Sequence, residues 1–454
     1  MTRCLWFDWA WVDERWQERV ALDIDATGMI AAVRVGVPAE EAEIVPGVAM
    51  PGLANVHSHA FQRAMAGLAE RGNRPGEDFW SWRHVMYRIA NELDPDEVEA
   101  VAAMAYVEML EAGFTVVGEF HYLHHDRSGA AYADRAELAG RIVAAARASG
   151  IGLTMLPCLY SAGGIGLAFE PGQRRFINGI DAFGRLHEEI AGILRREMPG
   201  AVLGVAPHSL RAARPEDVAR IGAMFPMGPV HIHAAEQVAE VEACVAGLGA
   251  RPVAWLLDRA GVDGRWCLIH ATHIDNAEIG GLARSGAVVG LCPLTEADLG
   301  DGIFPGPAFL AAGGRFAIGS DSLVRIDAAE ELRQFDTSQR LRDQRRVVLS
   351  TEGSAGAALL RRAWDGGRRA SGQASGRFET GARADIVVLD RDGSDLAALP
   401  PSLWLDHFVF VGGRRVIDRV YAGGDLRVER GAHHARGAVA ARFRPVLRRL
   451  AETL

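Results

Sequence analysis

An apolar run ends in two histidines at Met50-Pro51-Gly52-Leu53-Ala54-Asn55-Val56-His57-Ser58-His59. Side chains of a strand alternate between its two faces, so the pattern predicts that both imidazoles lie on the same side of the backbone. Imidazole nitrogen is a good ligand for zinc and related metals. An isolated His-x-His pair is more often structural, so the prediction of a metal site depends on partners elsewhere in the chain.

Three further polar residues follow short apolar runs in the same way. His233 follows 228–232, His270 follows 266–269 and Asp321 follows 316–320. If these runs are parallel strands of one barrel, their carboxyl ends open at the same mouth. The sequence therefore predicts a metal site at this mouth.

Apolar, strand-like runs alternate with longer helical patterns through the middle of the chain. One such helical pattern, with Ala, Val, Met and Glu at helical spacing, covers 95–112. This alternation predicts an α/β protein with parallel strands, here a TIM-like (β/α)8 barrel. The predicted strands are the run before His57, then 114–118, 151–156, 201–206, 230–232, 267–269, 287–291 and 316–318.

Both ends of the chain carry a different, alternating pattern that is typical of strands in an antiparallel sheet. It occurs at 19–25 and 30–35 and returns at 384–390, 408–413, 415–417 and 420–424. We predict that the two chain ends build one small β-sandwich domain beside the barrel. The predicted limits are 1–50 and 376–454 for this domain, including a terminal helix over 438–454, and 51–375 for the barrel.

The composition argues against several classes of function. A net charge of −9 gives no general attraction to phosphate, so nucleic acid and anionic membranes are poor candidate partners. The five cysteines include no Cys-x-x-Cys pair, which predicts neither a disulfide framework nor a thiolate zinc site and fits a reducing cytoplasm. No apolar run approaches the roughly 18 residues of a membrane span, and the first residues lack the apolar segment of a secretory leader.

The strand-end residues suggest a division of chemical roles. His57, His59, His233 and Asp321 would hold one metal ion, which would lower the pKa of a water molecule from about 15.7 toward roughly 7. His270 would act beside that water as a positioning or electrostatic group, and Asp321 could accept its proton. Glu236, three residues after His233, could carry protons to a leaving nitrogen. The pattern predicts attack of water on an electrophilic carbon.

Two other histidines are interpreted differently. His231 has the same strand parity as His233 but lies deeper, so it is predicted to be a core residue. His273 is predicted to begin a helix or to lie outside the ligand shell.

Together, these residues resemble the amidohydrolase superfamily in its one-metal deaminase branch. The strings that carry the resemblance are Pro51-Gly52-Leu53 with Asn55-Val56-His57-Ser58-His59, His233-Ala234-Ala235-Glu236, Leu268-Ile269-His270-Ala271-Thr272-His273, Gly319-Ser320-Asp321-Ser322 and the closing segment 381–387. Within this branch, the segments 59–67, 119–124 and 206–211 resemble those of the formimidoylglutamate deiminases.

The resemblance implies a reaction, a cofactor and an assembly. The expected reaction is hydrolysis of N-formimino-L-glutamate to N-formyl-L-glutamate and ammonia, a step of bacterial histidine degradation. The expected cofactor is one divalent metal ion, foremost Zn²⁺, although histidine and carboxylate ligands also accept iron and other divalent ions. The family also suggests a homodimer.

Such a substrate carries two carboxylates, so its pocket needs arginines that can form charge-assisted hydrogen bonds. Arg211 is the first candidate, and Arg83 is the second, with Arg71, Arg74 and Arg88 as nearby rivals. The resemblance adds three further substrate contacts, which are Gln62, Tyr122 and His208. The glycine-rich segment 163–166 is interpreted as a mobile loop that could cover the substrate.

Three alternatives to this function are considered, of which the first stays open and the other two are disfavoured by the sequence. A purine or triazine deaminase of the same branch would keep the metal residues and change the pocket, and Trp80 and Trp82 could supply its stacking surface. Two-metal hydrolases of the hydantoinase and dihydroorotase type usually need a carboxylated lysine, and this sequence contains no lysine. A relative without activity that binds a metal or metabolite is the alternative outside the enzymes. The presence together of His57, His59, His233, Glu236, His270 and Asp321 argues against it.

Overall fold

The structure is a computed structural model that describes residues 3–70, 78–351 and 353–453. Its strands are β1 Arg3–Val12, β2 Arg15–Ile24, β3 Ile30–Arg34, β4 Glu43–Ile44, β5 Val48–Pro51, β6 Leu53–Ser58, β7 Phe114–His121, β8 Gly152–Leu159, β9 Val202–Leu203, β10 Ala206–Pro207, β11 Val230–Ala234, β12 Trp266–His270, β13 Val288–Leu291, β14 Arg315–Ile318, β15 Ile386–Leu389, β16 Ile417–Ala422, β17 Asp425–Glu429 and β18 Ala432–His433. Its α-helices are α1 Phe79–Glu92, α2 Pro95–Glu111, α3 Glu137–Ser149, α4 Ile180–Glu197, α5 Pro215–Met224, α6 Val238–Leu248, α7 Pro252–Arg259, α8 Asn276–Ser285, α9 Pro293–Asp298, α10 Gly306–Ala311, α11 Ala328–Asp343, α12 Ala355–Ser371, α13 Trp404–His407 and α14 Arg436–Thr453.

A parallel sheet forms the centre of the molecule. Its strands follow the order β10-β8-β7-β6-β14-β13-β12-β11, with β9 paired to β8. Hydrogen bonds join the two end strands of this sheet and close it. The amides of His231 and His233 donate to the carbonyls of Val205 and His208, respectively, both at 3.0 Å. Helices lie between successive strands, as in α3 between β7 and β8. The predicted TIM-like barrel is therefore supported.

The predicted barrel strands all contain strand structure, with one irregularity. The fourth predicted strand, 201–206, is broken into β9 and β10 at Gly204. A Cβ at Gly204 would lie 2.5 Å from the carbonyl oxygen of Pro229, so the backbone passes very close to the neighbouring chain there. Val205 pairs with Val230 on the other side, and β10 then resumes the pairing with β8. The break therefore coincides with the place where the barrel closes.

Helix α12 packs closely against the outside of the barrel because glycines face the strands. A Cβ at Gly366 would overlap the carbonyl oxygen of Phe316 in β14, and one at Gly367 would lie 3.1 Å from Cβ of Ala54 in β6. The helix begins at the N-cap Ser354, whose side chain accepts from the amide of Ala357. The absence of side chains at these two positions thus sets the distance between helix and sheet.

We expect Gly366→Ala to lower the free energy of unfolding by about 1–3 kcal/mol or more, because the added methyl has to displace backbone in a packed core. Chemical denaturation monitored by circular dichroism measures the change. Gly437→Ala in α14 is the control, since, apart from its chain neighbours and the backbone of its own helix, no heavy atom of the described residues lies within 4 Å of its added Cβ. It should change stability by no more than about 1 kcal/mol, in the stabilising direction. Equal effects of the two substitutions would contradict the packing argument.

A second sheet combines strands from both ends of the chain. Its order is β18-β17-β16-β15-β5-β1-β2-β3, with β4 paired to β1. The two chain ends meet where β15 pairs antiparallel with β5, Ile386 opposite Pro51. A separate apolar cluster that includes Leu5, Phe7 and Val388 fills one side of this sheet. The strands belong to one hydrogen-bonded path, so the division into the two layers of a sandwich and the predicted domain limits stay predictions.

One predicted strand is wrong. The segment 408–413 is helical, with a π-type turn Phe408–Gly412 that continues α13. A 3-10 turn Gly413–Val416 follows, so the predicted strand at 415–417 begins only at Ile417. Phe408 and Val409 are buried whereas Val411 is 59% exposed, which matches a helical rather than an alternating pattern. A short apolar run bounded by glycines does not distinguish the two structures by periodicity.

The terminal helix and the cysteines complete the description. Helix α14 covers the described part of the predicted 438–454 helix, begins two residues earlier and packs against α2, and its buried residues include Val439, Phe443 and Leu450. The five cysteines are free thiols. Within the described ranges, no helix combines the length and the apolar character that crossing a membrane requires.

Candidate metal centre and active site

Four side chains converge at the carboxyl ends of the barrel strands. His57 lies near the end of β6, His59 directly follows it, His233 lies near the end of β11, and Asp321 follows β14. One ligand atom from each lies within 4.8 Å of those of the other three. The Nε2 atoms of His57 and His233 are 3.0 Å apart, and Oδ1 of Asp321 lies 3.2 Å from Nε2 of His57 and 3.3 Å from Nε2 of His59. The structure thus brings together the four residues predicted to hold a metal.

The hydrogen bonds of these imidazoles test whether a cation fits. Nδ1 of His59 donates to the carbonyl of Phe120, and Nδ1 of His233 donates to the carbonyl of His208, each at 2.9 Å. A carbonyl oxygen only accepts, so in the neutral rings the proton sits on Nδ1 and Nε2 keeps its lone pair. Burial lowers the pKa of His57 to about 3 and also lowers the pKa values of His59 and His233, so all three are neutral near pH 7. The imidazole lone pairs and the carboxylate of Asp321 converge on one point between them. Such a set of donor atoms fits a divalent cation.

Several site residues lie in backbone conformations that are unusual for residues with a side chain. The φ angles are +52° at Ala235, +67° at His270 and +41° at Asp321. Such left-handed conformations cost about 1–3 kcal/mol and occur preferentially at functional sites. They turn the chain sharply just after β11, at the end of β12 and after β14, which directs Glu236, His270 and Asp321 toward the centre.

His270 is surrounded by carboxylates. Its Nε2 lies 3.6 Å from Oε1 of Glu236 and 3.7 Å from Oδ2 of Asp321, and its Nδ1 lies 3.2 Å from Oε1 of Glu296. Burial alone would lower the pKa of His270, but these three carboxylates raise it to about 10. In the absence of a bound cation the ring is therefore protonated near pH 7.

Glu236 connects this centre with the predicted arginine anchor. Nη2 of Arg211 donates to Oε2 of Glu236 at 2.7 Å, and both side chains are largely buried. The guanidinium also lies 5.2 Å from the ring centroid of Phe79. Glu236 can therefore contact the metal centre through one oxygen and the substrate pocket through the other.

One cavity joins the metal centre to the predicted substrate contacts. It is lined by the three centre residues His59, His233 and Asp321, by Glu236, and by the predicted contacts Gln62, Arg83, Tyr122, His208 and Arg211. Nε2 of Gln62 donates to the hydroxyl of Tyr122 at 2.8 Å, and Nη2 of Arg83 lies 3.2 Å from Oε1 of Glu170. Gly163, Gly164 and Ile165 of the predicted mobile loop also line it, as do Trp80 and Trp82. All predicted substrate contacts therefore face the same space.

The rival arginines and histidines lie elsewhere or outside the described residues. Arg88 donates to the carbonyl of Thr453 at 2.8 Å and does not line this cavity. Arg71 and Arg74 fall outside the described residues. His231 is fully buried and its Nε2 donates to the carbonyl of Ala370, as expected of a core residue. His273 is bonded to the carbonyl of Asp301 and does not line the cavity.

Two buried carboxylates contribute to the site although the motifs do not single them out. Glu119 accepts from the hydroxyl of Ser58 at 2.9 Å and from the amide of Ala60 at 2.8 Å, so it holds the chain on both sides of His59. Burial raises the pKa of Glu119 to about 7. Glu296 holds His270 and also accepts from the amide of Cys292 at 2.8 Å. Glu119 lies near the end of β7, which is the same signal that indicated the histidines, whereas Glu296 lies in α9 after β13 and carries no such signal.

Comparison with known proteins yields three kinds of match. Residues 48–427 match the model of the amidohydrolase family. Formimidoylglutamate deiminase of Pseudomonas aeruginosa is 47% identical over 442 residues, covering 96% of this chain and 97% of that protein. A 5-methylthioadenosine/S-adenosylhomocysteine deaminase of Natronomonas pharaonis is 27% identical, covering 84% of this chain and 81% of that protein. The crystal structure of an amidohydrolase from Brucella melitensis superposes with a TM-score of 0.94 at 46% identity and covers 99% of both chains.

Proposed function

Because this chain belongs to the amidohydrolase family, we propose that it is a metal-dependent deiminase that hydrolyses N-formimino-L-glutamate to N-formyl-L-glutamate and ammonia. The observation that carries the proposal is the shared cavity, in which Arg83 and Arg211 face the same space as the converging imidazoles. The name of the Pseudomonas aeruginosa relative supports the same substrate. The reaction belongs to histidine degradation.

The cofactor of the proposed reaction is one divalent cation, foremost Zn²⁺. His57, His59 and His233 would hold it through Nε2, and Asp321 through Oδ1, because these atoms face one another. Three nitrogens and one carboxylate oxygen are ligands that zinc accepts readily. When bound, the cation would make water nucleophilic near pH 7 and leave this chain's residues to move the protons.

Glu236 and His270 are the proposed proton carriers. Hydrolysis adds water to the formimino carbon, breaks the bond from that carbon to the terminal nitrogen and releases ammonia. Glu236 takes a proton from the attacking water and delivers it to the departing nitrogen. His270, with Nε2 3.6 Å from Glu236 and 3.7 Å from Asp321, donates a hydrogen bond to the oxygen that gains negative charge. Asp321 accepts the second proton of the added water as the adduct collapses, and this proton leaves with the departing nitrogen as ammonia.

Arg83 and Arg211 are the proposed anchors for the two substrate carboxylates. Nε of Arg83 and Nη1 of Arg211 are buried and have no hydrogen-bond partner among the residues that the structure describes. Unpartnered buried donors are costly, and a bound carboxylate would satisfy them with charge-assisted bonds. Gln62, Tyr122 and His208 complete the lining between these anchors and the proposed metal centre.

We expect Arg83→Met to raise the KM for N-formimino-L-glutamate by about 10–100-fold, because a charge-assisted hydrogen bond contributes roughly 1.5–3 kcal/mol. Steady-state ammonia release measures the change. Arg88→Met is the matched control, since Arg88 lies on the same helix but does not line the cavity. The anchor assignment fails if Arg83→Met leaves KM unchanged while Arg88→Met raises it.

The substrate class separates this proposal from its alternatives. We expect ammonia from N-formimino-L-glutamate and none from adenosine, 5′-methylthioadenosine, guanine or an aminotriazine. Activity confined to a ring compound would establish the purine or triazine alternative, for which Trp80 and Trp82 would serve as stacking surfaces. A purified, metal-loaded protein that releases ammonia from none of these compounds would support the inactive binding relative.

Assembly and location are part of the proposal. We propose a cytoplasmic homodimer whose barrel spans 51–375 and whose chain ends, 1–50 and 376–454, form a β-sandwich. Size-exclusion chromatography with light scattering checks the assembly, and a mass of one chain, 48.9 kDa, would contradict the dimer.

A further inference from the structure

A second cluster of possible metal ligands lies directly beside the first. One ring nitrogen of His270, the thiol of Cys292 and a carboxylate oxygen of Asp321 lie within 4.8 Å of one another. Cys292 immediately follows β13, and both His270 and Cys292 are fully buried. Nitrogen, sulfur and oxygen donors grouped in this way suit zinc and other thiophilic divalent ions.

Two details indicate that these atoms are available to a ligand. Nε2 of His270 is buried and has no hydrogen-bond partner among the described residues. The two oxygens of Asp321 point to different sides, with Oδ1 near His57 and His59 and Oδ2 3.7 Å from Nε2 of His270. A carboxylate placed in this way can bridge two cations, as in two-metal sites, where the ions lie about 3.5–4 Å apart.

We propose that His270, Cys292 and Asp321 form a second cation site, which takes a thiophilic divalent ion once the first site is filled. The second ion shares Asp321 with the first and displaces two protons to solvent, the thiol proton of Cys292 and the extra ring proton of His270. It also occupies the imidazole of His270, so excess metal inhibits the enzyme. The binding part of this inference is independent of the substrate, whereas the inhibition rests on the proposed function.

Cobalt is the probe, because a thiolate bound to Co²⁺ gives a near-ultraviolet charge-transfer absorption and the first set of ligands contains no sulfur. We expect titration of the metal-free protein with Co²⁺ to give this absorption only beyond one ion per chain. Cys292→Ser should abolish it and weaken the second binding step by at least about 100-fold, since even a lost outer-shell partner weakens metal binding about 10–100-fold. Cys267→Ser is the matched control, because Cys267 is also fully buried inside the barrel but is not part of the cluster, and it should keep the absorption.

Turnover gives the second measurement. Raising Co²⁺ or Zn²⁺ from one to several equivalents should lower turnover of the wild-type chain by about tenfold or more, because a proton carrier is lost. A chelator added to remove only the excess should restore it. The ratio of turnover at one equivalent of metal to turnover at several equivalents should approach one in Cys292→Ser. In Cys267→Ser this ratio should keep the wild-type value.

The outcomes separate the inference from the proposed function. If the cobalt absorption appears but no tested compound releases ammonia, the second site stands and the proposed function fails. If the wild-type chain binds several equivalents of Co²⁺ without the absorption, the second site is refuted, whatever the activity. This wild-type measurement, together with Cys292→Ala, decides the question even if Cys292→Ser does not fold.

Discussion

Glu236→Gln is expected to keep the divalent cation and to lose about 10²–10⁴-fold of its turnover with N-formimino-L-glutamate, the usual contribution of a proton carrier. Glutamine has nearly the same size, so it can still accept from Nη2 of Arg211, now 2.7 Å from Oε2 of Glu236. It cannot take a proton from water, which is the step that the proposed mechanism assigns to Glu236. Metal analysis and steady-state ammonia release measure the two effects separately.

The matched control for Glu236→Gln is Glu242→Gln. Glu242 lies on α6, is exposed and does not line the cavity. It should retain both metal and turnover. Unchanged turnover in Glu236→Gln would remove this residue from the mechanism, and loss of the metal would instead assign it to the ligands.

His233→Ala is expected to lose the cation and, with it, all measurable turnover. His233 supplies one of the converging Nε2 atoms, and its Nδ1 donates to the carbonyl of His208 at 2.9 Å, so both the lone pair and its orientation are lost. Because removal of even an outer-shell partner weakens metal binding about 10–100-fold, loss of a ligand should cost at least that much. Metal affinity is measured by competition with a chromophoric chelator.

His231→Gln is the control from the same strand, with the same parity and two residues deeper. Its Nε2 donates to the carbonyl of Ala370, and a glutamine amide can keep a donor there. We expect metal binding and turnover to persist. The free energy of unfolding should be lower by about 1–3 kcal/mol if the buried carbonyl of Ala370 loses its hydrogen-bond donor. Loss of the cation in His231→Gln but not in His233→Ala would reverse the two assignments.

The strand-end residues were predictable because their signal is local. Alternation places His57 and His59 on one face of β6, and each remaining member of the set follows an apolar run of its own. Parallel strands of a barrel all end at one mouth, so proximity follows once the runs are assigned to strands. The resemblance to the amidohydrolases added the substrate contacts, which alternation alone does not indicate.

Other features depended on contacts between distant parts of the chain. The segment 408–413 is helical and packs against α11, although its apolar run also suits a strand. The break between β9 and β10 arises where the backbone at Gly204 passes close to Pro229, a neighbour distant in sequence.

The amino-acid sequence by itself determined the alternation of strands and helices, the chemical identity of the proposed ligands and the absence of any lysine for a carboxylated bridge. Only the tertiary structure decided which carboxylates meet His270, that Arg211 pairs with Glu236, and that Cys292 lies beside Asp321. The physical reason is that periodicity acts over a few residues, whereas these contacts join strand ends that come together only when the barrel closes.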